Sequence, residues 1–164
     1  MKRCLPSLAR VLMQNSSEDI IGDICWAMSY ISDNGKKAIP LIIECGVLPR
    51  IVQLLEHPTL AIAVSCLRTI GNVLTGDDSE TQHAINAGAL QALDRLITHN
   101  KKAVRKEVCW SVSNVTAGNV QQIQQTIDVG ILDKLILLIL NDDFEIKREA
   151  VWALSNTTQN ASPQ

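Results

Sequence analysis

The sequence predicts an all-α solenoid built from stacked helical repeats of about 42 residues each. Trp110 and Trp152 are separated by an interval of 42 (152 − 110), and Arg68 precedes Trp110 by the same interval (110 − 68). The same spacing separates three glycines, Gly46, Gly88 and Gly130. A period of about 40–47 residues is typical of helical solenoids. A composition of 46% hydrophobic but only 3% aromatic residues suits the aliphatic interfaces between short stacked helices.

Residues 1–33 contain two predicted helices. Apolar residues dominate 5–13, which predicts a short helix, and the amphipathic stretch 18–32 predicts a longer one. Residues 15–18, Asn-Ser-Ser-Glu, form the polar turn between them and supply capping side chains. Residues 33–35, Asp-Asn-Gly, end the second helix because they favour turns.

The segment 34–75 contains three predicted helices, 36–45, 48–55 and 60–75. Gly46 closes the first in a left-handed conformation that other residues resist. Pro40 falls inside that helix, which it either ends or kinks, unless the helix starts later and the proline lies in its first turn. Three helices per repeat, the third longest, indicate the armadillo plan rather than the two-helix HEAT plan. The full prediction is therefore a right-handed armadillo-repeat solenoid with three helices per 42-residue repeat.

The chain divides into a partial repeat at 1–33, which holds only a second and a third helix, three complete repeats at 34–75, 76–117 and 118–160, and a tail at 161–164. The repeats share one predicted core register, whose members include Ile20, Ile62, Val104 and Ile146; Met28, Ile70, Val112 and Leu154; and Ile43, Ile85 and Ile127. Solenoids need polar end repeats, and neither end here has that character. We therefore expect a truncated form, an excised fragment or a partial gene product, whose uncapped ends are candidate surfaces for self-association.

Composition and charge argue against several classes of partner. The formal net charge of −2 and the pI near 5.9 provide no basic footprint, so neither nucleic acid nor a membrane is a predicted partner. No apolar run reaches the length of about 18 residues that a membrane span needs. Five cysteines without a CxxC pattern indicate a reducing compartment, where buried thiols act as small hydrophobic groups.

The sequence contains no motif that predicts catalysis or a cofactor. A nucleophile elbow, a P-loop and a dinucleotide fingerprint are all missing, and residues 75–78, Thr-Gly-Asp-Asp, lack the glycine run and lysine of a phosphate cradle. His57, His83 and His99 have no cysteine or histidine at ligand spacing, so they are predicted to be surface residues. The prediction is a protein that is not an enzyme and holds neither metal nor cofactor.

Residues 107–118 combine the repeat with a candidate binding face. Four valines fall on one predicted helical stripe, Val104, Val108, Val112 and Val115. Trp110 lies about 200° around the helix from Val108, which places it opposite the valine core. Glu107 and Asn114 share the tryptophan's face at i−3 and i+4. A helical tryptophan is more commonly a core residue, but its recurrence with asparagine and its opposition to the valines favour a ligand platform.

The asparagines of successive third helices suit the backbone of an extended peptide. Third helices of neighbouring repeats lie side by side, about 10 Å apart, so equivalent residues form a ladder. Asn114 and Asn156 each offer amide donors and a carbonyl acceptor. A structural hydrogen bond between neighbouring repeats is the alternative role, and the two roles are not exclusive.

The tryptophans and acidic residues of the same ladder suit long cationic side chains. Trp110 and Trp152 present flat, electron-rich faces, between which the stem of a lysine or arginine can lie. Glu107 and Glu149, one turn earlier, either meet the charged head or are solvated helix charges. The groove is thus predicted to select basic peptides.

Three basic pairs are predicted to be exposed positive surface rather than a functional patch. They are Lys101-Lys102, Arg105-Lys106 and Lys147-Arg148.

Four strings carry a resemblance to a known family. They are Asp23-Ile-Cys-Trp26-Ala-Met-Ser-Tyr30-Ile-Ser-Asp33, Leu67-Arg68-Thr-Ile-Gly-Asn72-Val-Leu-Thr75-Gly-Asp-Asp78, Trp110-Ser-Val-Ser-Asn114-Val-Thr-Ala-Gly118-Asn119 and Lys147-Arg-Glu149-Ala-Val-Trp152-Ala-Leu-Ser-Asn156. Together they resemble importin alpha, the armadillo-repeat adaptor for nuclear import, over nearly the whole chain. The order of the departures from the Trp/Asn pattern resembles that of the family's fifth to eighth repeats. Tyr first replaces Asn, Arg then replaces Trp, and two intact Trp/Asn repeats follow.

The resemblance implies a set of peptide-binding residues. Those that match the family's minor site for nuclear localisation signals are Trp110, Asn114, Trp152, Asn156, Glu107, Glu149, Arg68, Asn72, Thr75 and Asp78. Those that match the edge of its major site are Asp23, Trp26 and Tyr30. Arg68 places a cation in a tryptophan slot, where it repels a basic peptide side chain and separates two binding segments.

The resemblance also implies partners and a location. The expected partners are the basic nuclear localisation signals of cargo proteins, and the expected location is cytoplasm and nucleus. Importin beta is a partner of the full-length family, but the basic segment that binds it has no counterpart in this sequence. The alternatives are a structural armadillo scaffold that packs on a protein partner through its convex or terminal surfaces, and a truncated form without import activity.

Overall fold

The computed structural model describes residues 4–14 and 17–160, with side chains to residue 158. Within that range the chain is helical without a strand, as predicted. The helices are α1 (Leu5–Gln14), α2 (Glu18–Ser32), α3 (Ile39–Glu44), α4 (Leu48–Leu54), α5 (Leu60–Val73), α6 (Asp78–Asn86), α7 (Ala89–Leu96), α8 (Lys102–Thr116), α9 (Val120–Asp128), α10 (Ile131–Asn141) and α11 (Phe144–Asn160). The predicted tail at 161–164 and residues 15–16 of the predicted turn lie outside the described residues.

The helices form two compact units, Met1–Ala89 and Leu90–Gln164. In the first unit the long helices α2 and α5 pack on each other, α1 packs on α2, and α4 and α6 pack on α5. In the second unit the long helices α8 and α11 pack on each other, with α9 against α8 and α10 against α11. Each unit thus pairs two of the helices predicted to carry the ladder.

The segment before Gly46 differs from the single helix predicted at 36–45. It begins with a 3₁₀ turn at Gly35–Lys37, and the α-helix proper covers only Ile39–Glu44. Pro40 lies in the first turn of that helix, where its missing N–H would have had no intrahelical partner. The helix therefore starts later than predicted, and the proline neither ends nor kinks it.

Glycines end the short helices as predicted. The three glycines at the 42-residue spacing have positive φ angles, 64° at Gly46, 93° at Gly88 and 83° at Gly130. They follow α3, α6 and α9, so each first helix of a repeat closes through the same left-handed residue. The regular glycine spacing therefore corresponds to a left-handed backbone conformation that recurs at the end of these three helices.

The valine stripe of α8 is buried throughout, and so are Met28, Ile51 and Ile70. Two members of the predicted core register, Ile20 and Ile127, are exposed instead. Ile20 lies on α2 and Ile127 on α9. Exposed apolar residues of α10 and α11 include Ile136, Leu137, Leu140 and Phe144. Self-association through this surface stays a prediction.

The described part of the chain contains neither a membrane-spanning helix nor a metal cluster. None of the helices in residues 4–14 and 17–160 is long and apolar enough to cross a membrane. In the same residues, no three histidine, cysteine or carboxylate side chains are grouped so as to hold a metal ion.

Candidate functional site

The second unit carries two successive sets of the predicted ladder residues on packed helices. Glu107, Trp110 and Asn114 are half-buried on α8, whose opposite stripe is the buried valine row. Trp152 on α11 is 63% exposed, and Asn156 is half-buried one turn later. The structure therefore places both tryptophans away from the core. The more open position of Trp152 makes it the principal aromatic surface of this unit.

Asn156 joins α11 to α8, the other long helix of the second unit. Its Nδ2 donates a hydrogen bond to the backbone oxygen of Ser113 at 3.0 Å, immediately before Asn114. The Ser113 hydroxyl in turn donates to the backbone oxygen of Trp110 at 2.8 Å. One amide N–H of Asn156 is thus structural, while the second N–H and the carbonyl oxygen are chemically suited to a ligand.

The carboxylate of Glu149 faces a cation from its own helix. Oε1 lies 3.0 Å from Nη2 of Arg148, and the Glu149 side chain is 17% exposed while that of Arg148 is 63% exposed. An ion pair between sequence neighbours is weak when, as here, one partner is a largely exposed arginine. An incoming lysine or arginine would compete with Arg148 for the same oxygen.

The base of α8 contains a bidentate ion pair. Arg105 holds Asp142 through two bonds, Nε to Oδ2 at 2.6 Å and Nη2 to Oδ1 at 2.9 Å, with the side chains 18% and 8% exposed. Its Nη1 also donates to the backbone oxygen of His99 at 2.8 Å. The hydrogen bonds from Arg105 hold the pKa of Asp142 below its ordinary value, and Asp142 raises the pKa of Arg105.

These contacts correct the prediction of an exposed positive surface. Arg105 is half-buried and paired, because Asp142 follows it 37 residues later at the facing end of α10. Lys102 lies 3.2 Å from Asp143, and Lys106 lies 3.1 Å from Glu145. The start of α8 is therefore largely charge-balanced.

The first unit carries an aromatic pair at its ladder position. The rings of Trp26 and Tyr30 stack with centroids 5.5 Å apart and an interplanar angle of 29°, and the residues are 48% and 66% exposed. Asp23 is exposed one turn earlier on the same helix. These three residues are brought together as the sequence predicts. Tyrosine in place of asparagine turns this position into a continuous aromatic surface.

Asn72 differs from Asn156 in how its amide is used. Its Nδ2 donates to Ser32 Oγ at 2.8 Å and to Asp33 Oδ1 at 2.7 Å, and the residue is buried. The Thr75 hydroxyl donates to the backbone oxygen of Asn72 at 2.7 Å. Both amide N–H groups are engaged inside the unit, so only the carbonyl oxygen of this side chain remains for a peptide.

The other predicted residues of the first unit lie at the surface. Arg68 is exposed on α5, and Asp78 is exposed as the first residue of α6. The neighbouring Asp77 and Glu80 form a capping box, in which Asp77 Oδ1 accepts from the backbone N–H of Glu80 and Glu80 Oε2 accepts from that of Asp77. Thr75 and Asp78 thus lie within two residues of Asp77, the N-cap of a helix whose start is closed by a capping box.

The sequence interpretation missed several residues that organise these sites. They are Ser32, Asp33 and Ser113, which bind the ladder asparagines, and the capping residues Asp77, Glu80, Asn119 and Gln122. The second capping box follows the first at the repeat interval (119 − 77), and an Asp or Asn followed three positions later by Glu or Gln was a readable signal for both. The asparagine partners had no such signal.

A family model describes repeats of this type. The model of the armadillo/beta-catenin-like repeat matches residues 35–75, 77–117 and 119–158.

Several curated proteins are similar to this chain over about half of its length. Importin subunit alpha-1a of Oryza sativa subsp. japonica is 48% identical over 82 residues, 50% of this chain and 15% of the relative. Importin subunit alpha-3 of Arabidopsis thaliana has the same identity and coverage, and importin subunit alpha-B of Dictyostelium discoideum is 45% identical over 77 residues, 47% of this chain and 15% of the relative. The matched part is thus about a seventh of each relative's length.

Solved structures match most of the chain. A designed armadillo repeat protein in complex with the peptide (KR)4 has a TM-score of 0.88 and 33% sequence identity, covering 93% of this chain and 63% of that one. A second designed armadillo repeat protein has a TM-score of 0.87 and 29% identity over the same shares.

Proposed function

Because the chain belongs to the armadillo/beta-catenin-like repeat family, we propose that it binds basic, extended peptides along the ladder formed by α8 and α11. The observation that carries this proposal is the exposed indole of Trp152, three residues after Glu149 on α11, which packs against α8. An exposed indole with acidic side chains on the same helix is chemically suited to a cationic ligand.

The chemistry of the ladder favours a lysine- or arginine-rich partner. A cation over an indole face is attracted by the ring, and its aliphatic stem packs on the same surface. Glu107 and Glu149 add negative charge one turn from the tryptophans. The remaining amide groups of Asn156 bind the peptide backbone, which is common to all sequences. The ladder thus combines a general backbone grip with selection for long cations.

The similar proteins support the same class of ligand. The designed armadillo repeat protein of similar fold was solved with a peptide of alternating lysine and arginine. The curated relatives are importin alpha subunits. We propose that this chain is an import-adaptor-like module whose ligands are basic nuclear localisation signals, that it acts in cytoplasm and nucleus, and that it is not an enzyme.

The test is peptide binding with a tryptophan variant that leaves the fold intact. A fluorescently labelled lysine/arginine-rich signal peptide is titrated with the full chain, and its anisotropy is followed at low and at physiological salt. We expect saturable binding that weakens as salt rises, because the attraction is between partly exposed charges. Trp152→Ala should weaken binding roughly tenfold, as expected for the loss of an aromatic anchor.

A matched control separates the ladder from the general surface. Val151 is also exposed on α11 and immediately precedes Trp152. Val151→Ala should change the affinity by less than roughly twofold, because isolated surface substitutions have small effects. Circular dichroism of both variants checks that the helices are retained. Equal affinities for the wild-type chain and Trp152→Ala would rule out the proposed groove.

A structural armadillo scaffold is the second candidate, and the asparagine contacts favour it. Asn72 and Asn156 both bond to the preceding long helix, which is the role expected of residues that hold repeats together. A scaffold without a peptide groove would fold as this chain does, but its partner binding would be indifferent to Trp152→Ala and to a lysine-rich competitor peptide.

A further inference from the structure

Two buried cysteines face each other between the long helices of the first unit. The thiol of Cys66 on α5 donates to the sulfur of Cys25 on α2, with Sγ to Sγ at 3.4 Å. The two residues are only 1% and 2% exposed. They lie 41 residues apart in sequence, so the contact arises from the stacking of successive repeats rather than from chain proximity.

We propose that Cys25 and Cys66 form a reversible disulfide when the protein meets a peroxide, so that the pair is an oxidation site that covalently ties α2 to α5. Both sulfurs lie in contact, and a bond between them needs a further approach of about 1.4 Å, from 3.4 Å to the length of about 2.0 Å that disulfides have. Small rotations about the side-chain bonds of two cysteines can supply such an approach.

The hydrogen bond distinguishes the two thiols. Cys66 donates to Cys25, which lowers the pKa of the Cys25 thiol and raises that of Cys66. The Arg50 guanidinium favours the thiolate of both residues through its charge. Because the thiolate is the nucleophile in sulfur chemistry, Cys25 is the residue that reacts first.

The reaction balances with hydrogen peroxide as the oxidant. The Cys25 thiolate attacks one oxygen, the O–O bond breaks, and Cys25 becomes a sulfenic acid while hydroxide leaves. The Cys66 sulfur then attacks the sulfur of the sulfenic acid, and hydroxide leaves again. The two thiol protons neutralise the two hydroxides, so two thiols and one peroxide become one disulfide and two waters. Two electrons pass from the thiols to peroxide, and a dithiol reductant returns them.

The second unit contains a natural comparison for this pair. Cys109 and Ala150 lie two repeat lengths after Cys25 and Cys66 (109 − 25 and 150 − 66), and both are buried. Alanine at the second position leaves Cys109 without a thiol at the equivalent place. Burial raises the pKa of Cys109 to about 12, so this thiol is expected to be inert.

The experiment exposes the fully reduced chain to hydrogen peroxide, blocks the remaining thiols by alkylation, and maps the peptides without reduction. The exposed Cys4 reports that the oxidant is active. We expect a Cys25–Cys66 linked peptide whose mass is two hydrogen atoms below the sum of the two reduced peptides and which dithiothreitol removes. We also expect Cys109 to be recovered as the alkylated thiol. The link should raise the melting temperature by roughly 5–10 °C, because it restricts the freedom of the unfolded chain.

Variants make the assignment specific. Cys25→Ala and Cys66→Ala should each abolish the linked peptide and the melting shift, while Cys109→Ala should retain both. Ala150→Cys should add a second link, to Cys109, if repeat stacking is what aligns the thiols. Oxidation of Cys4 with Cys25 and Cys66 both recovered as alkylated thiols in the wild-type chain would overturn the proposal, as would a link that forms only in unfolded protein.

Discussion

Asn72 Nδ2 donates a hydrogen bond of 2.7 Å to Asp33 Oδ1, across 39 residues of sequence and between the two long helices of the first unit. Asn156 makes the corresponding bond in the second unit, to the backbone oxygen of Ser113. Asn72 and Asn156 therefore each link the two long helices of their own unit. A peptide that binds the carbonyl side of these amides would meet side chains whose orientation is already set.

Asn72→Ala is expected to destabilise the protein by about 1–3 kcal/mol, because it removes two hydrogen bonds that the buried Asn72 donates, one to the buried Ser32 hydroxyl and one to the exposed Asp33 carboxylate. Urea unfolding followed by circular dichroism measures the change. Asn86→Ala is the control, since Asn86 is exposed and accepts a hydrogen bond from Gln82 one turn away. A loss for Asn72→Ala no larger than that for Asn86→Ala would contradict the clamp role.

The ion pair of Arg105 and Asp142 predicts a pH dependence with a definite sign. The folded pKa of Asp142 lies below its ordinary value, so the pair stabilises the fold at pH values above the unfolded pKa of about 3.9 and loses that contribution as pH falls through the lower folded pKa. Asp142→Asn should cost about 1–3 kcal/mol at neutral pH, and the difference from wild type should shrink below about pH 4.

The measurement for this prediction is urea unfolding of both proteins over a pH series. Asp128→Asn provides the control, because Asp128 is exposed and accepts a hydrogen bond from Gln124 one turn away. We expect the control variant to follow the wild-type curve closely. A constant offset between Asp142→Asn and wild type at all pH values would show that the pair does not titrate as inferred.

The sequence was sufficient for the features that repeat locally. The armadillo class follows from residue spacing that recurs in each repeat. It is confirmed by the family match and by the fold of similar structures. The burial of Val108 and Val112 follows from helical period, since a side chain's direction on a helix depends on its position alone. Gly46 was predictable for a similar reason, because its left-handed φ of 64° is a local requirement.

The sequence was not sufficient where a polar side chain chooses between distant partners. Asn72 and Asn156 have the same residue type at the same repeat position, yet their amide N–H groups bond to a hydroxyl and a carboxylate in one case and to a backbone oxygen in the other. Arg105 was predicted to be exposed, but Asp142 is 37 residues away and reaches it only through folding. Hydrogen-bond choice depends on distances of a few tenths of an ångström, which no periodicity encodes.

Gly130→Ala and Gly22→Ala are expected to change stability in opposite directions. Gly130 has a φ of 83° with no atom within 4 Å of an added Cβ, so the cost is backbone strain of about 1–2 kcal/mol. Gly22 lies inside α2, and an added Cβ meets Ile62 Cγ1 at an ordinary 3.8 Å, so alanine should stabilise by about 0.5–1 kcal/mol. Thermal unfolding of both variants measures the difference. Destabilisation of similar size in both would contradict the conformational argument.

Arg148→Gln is expected to strengthen the binding of basic peptides by roughly two- to fivefold, which corresponds to the ~1 kcal/mol or less of an exposed ion pair. The reason is that Arg148 Nη2 lies 3.0 Å from Glu149 Oε1 and competes with the ligand's cation. Lys102→Gln removes the same charge beside Asp143, away from Glu149 in sequence, and controls for net charge. Peptide anisotropy at physiological salt compares the three proteins. Equal gains in the two variants would assign the effect to overall charge, whereas a gain confined to Arg148→Gln would identify Glu149 as the carboxylate that meets the peptide.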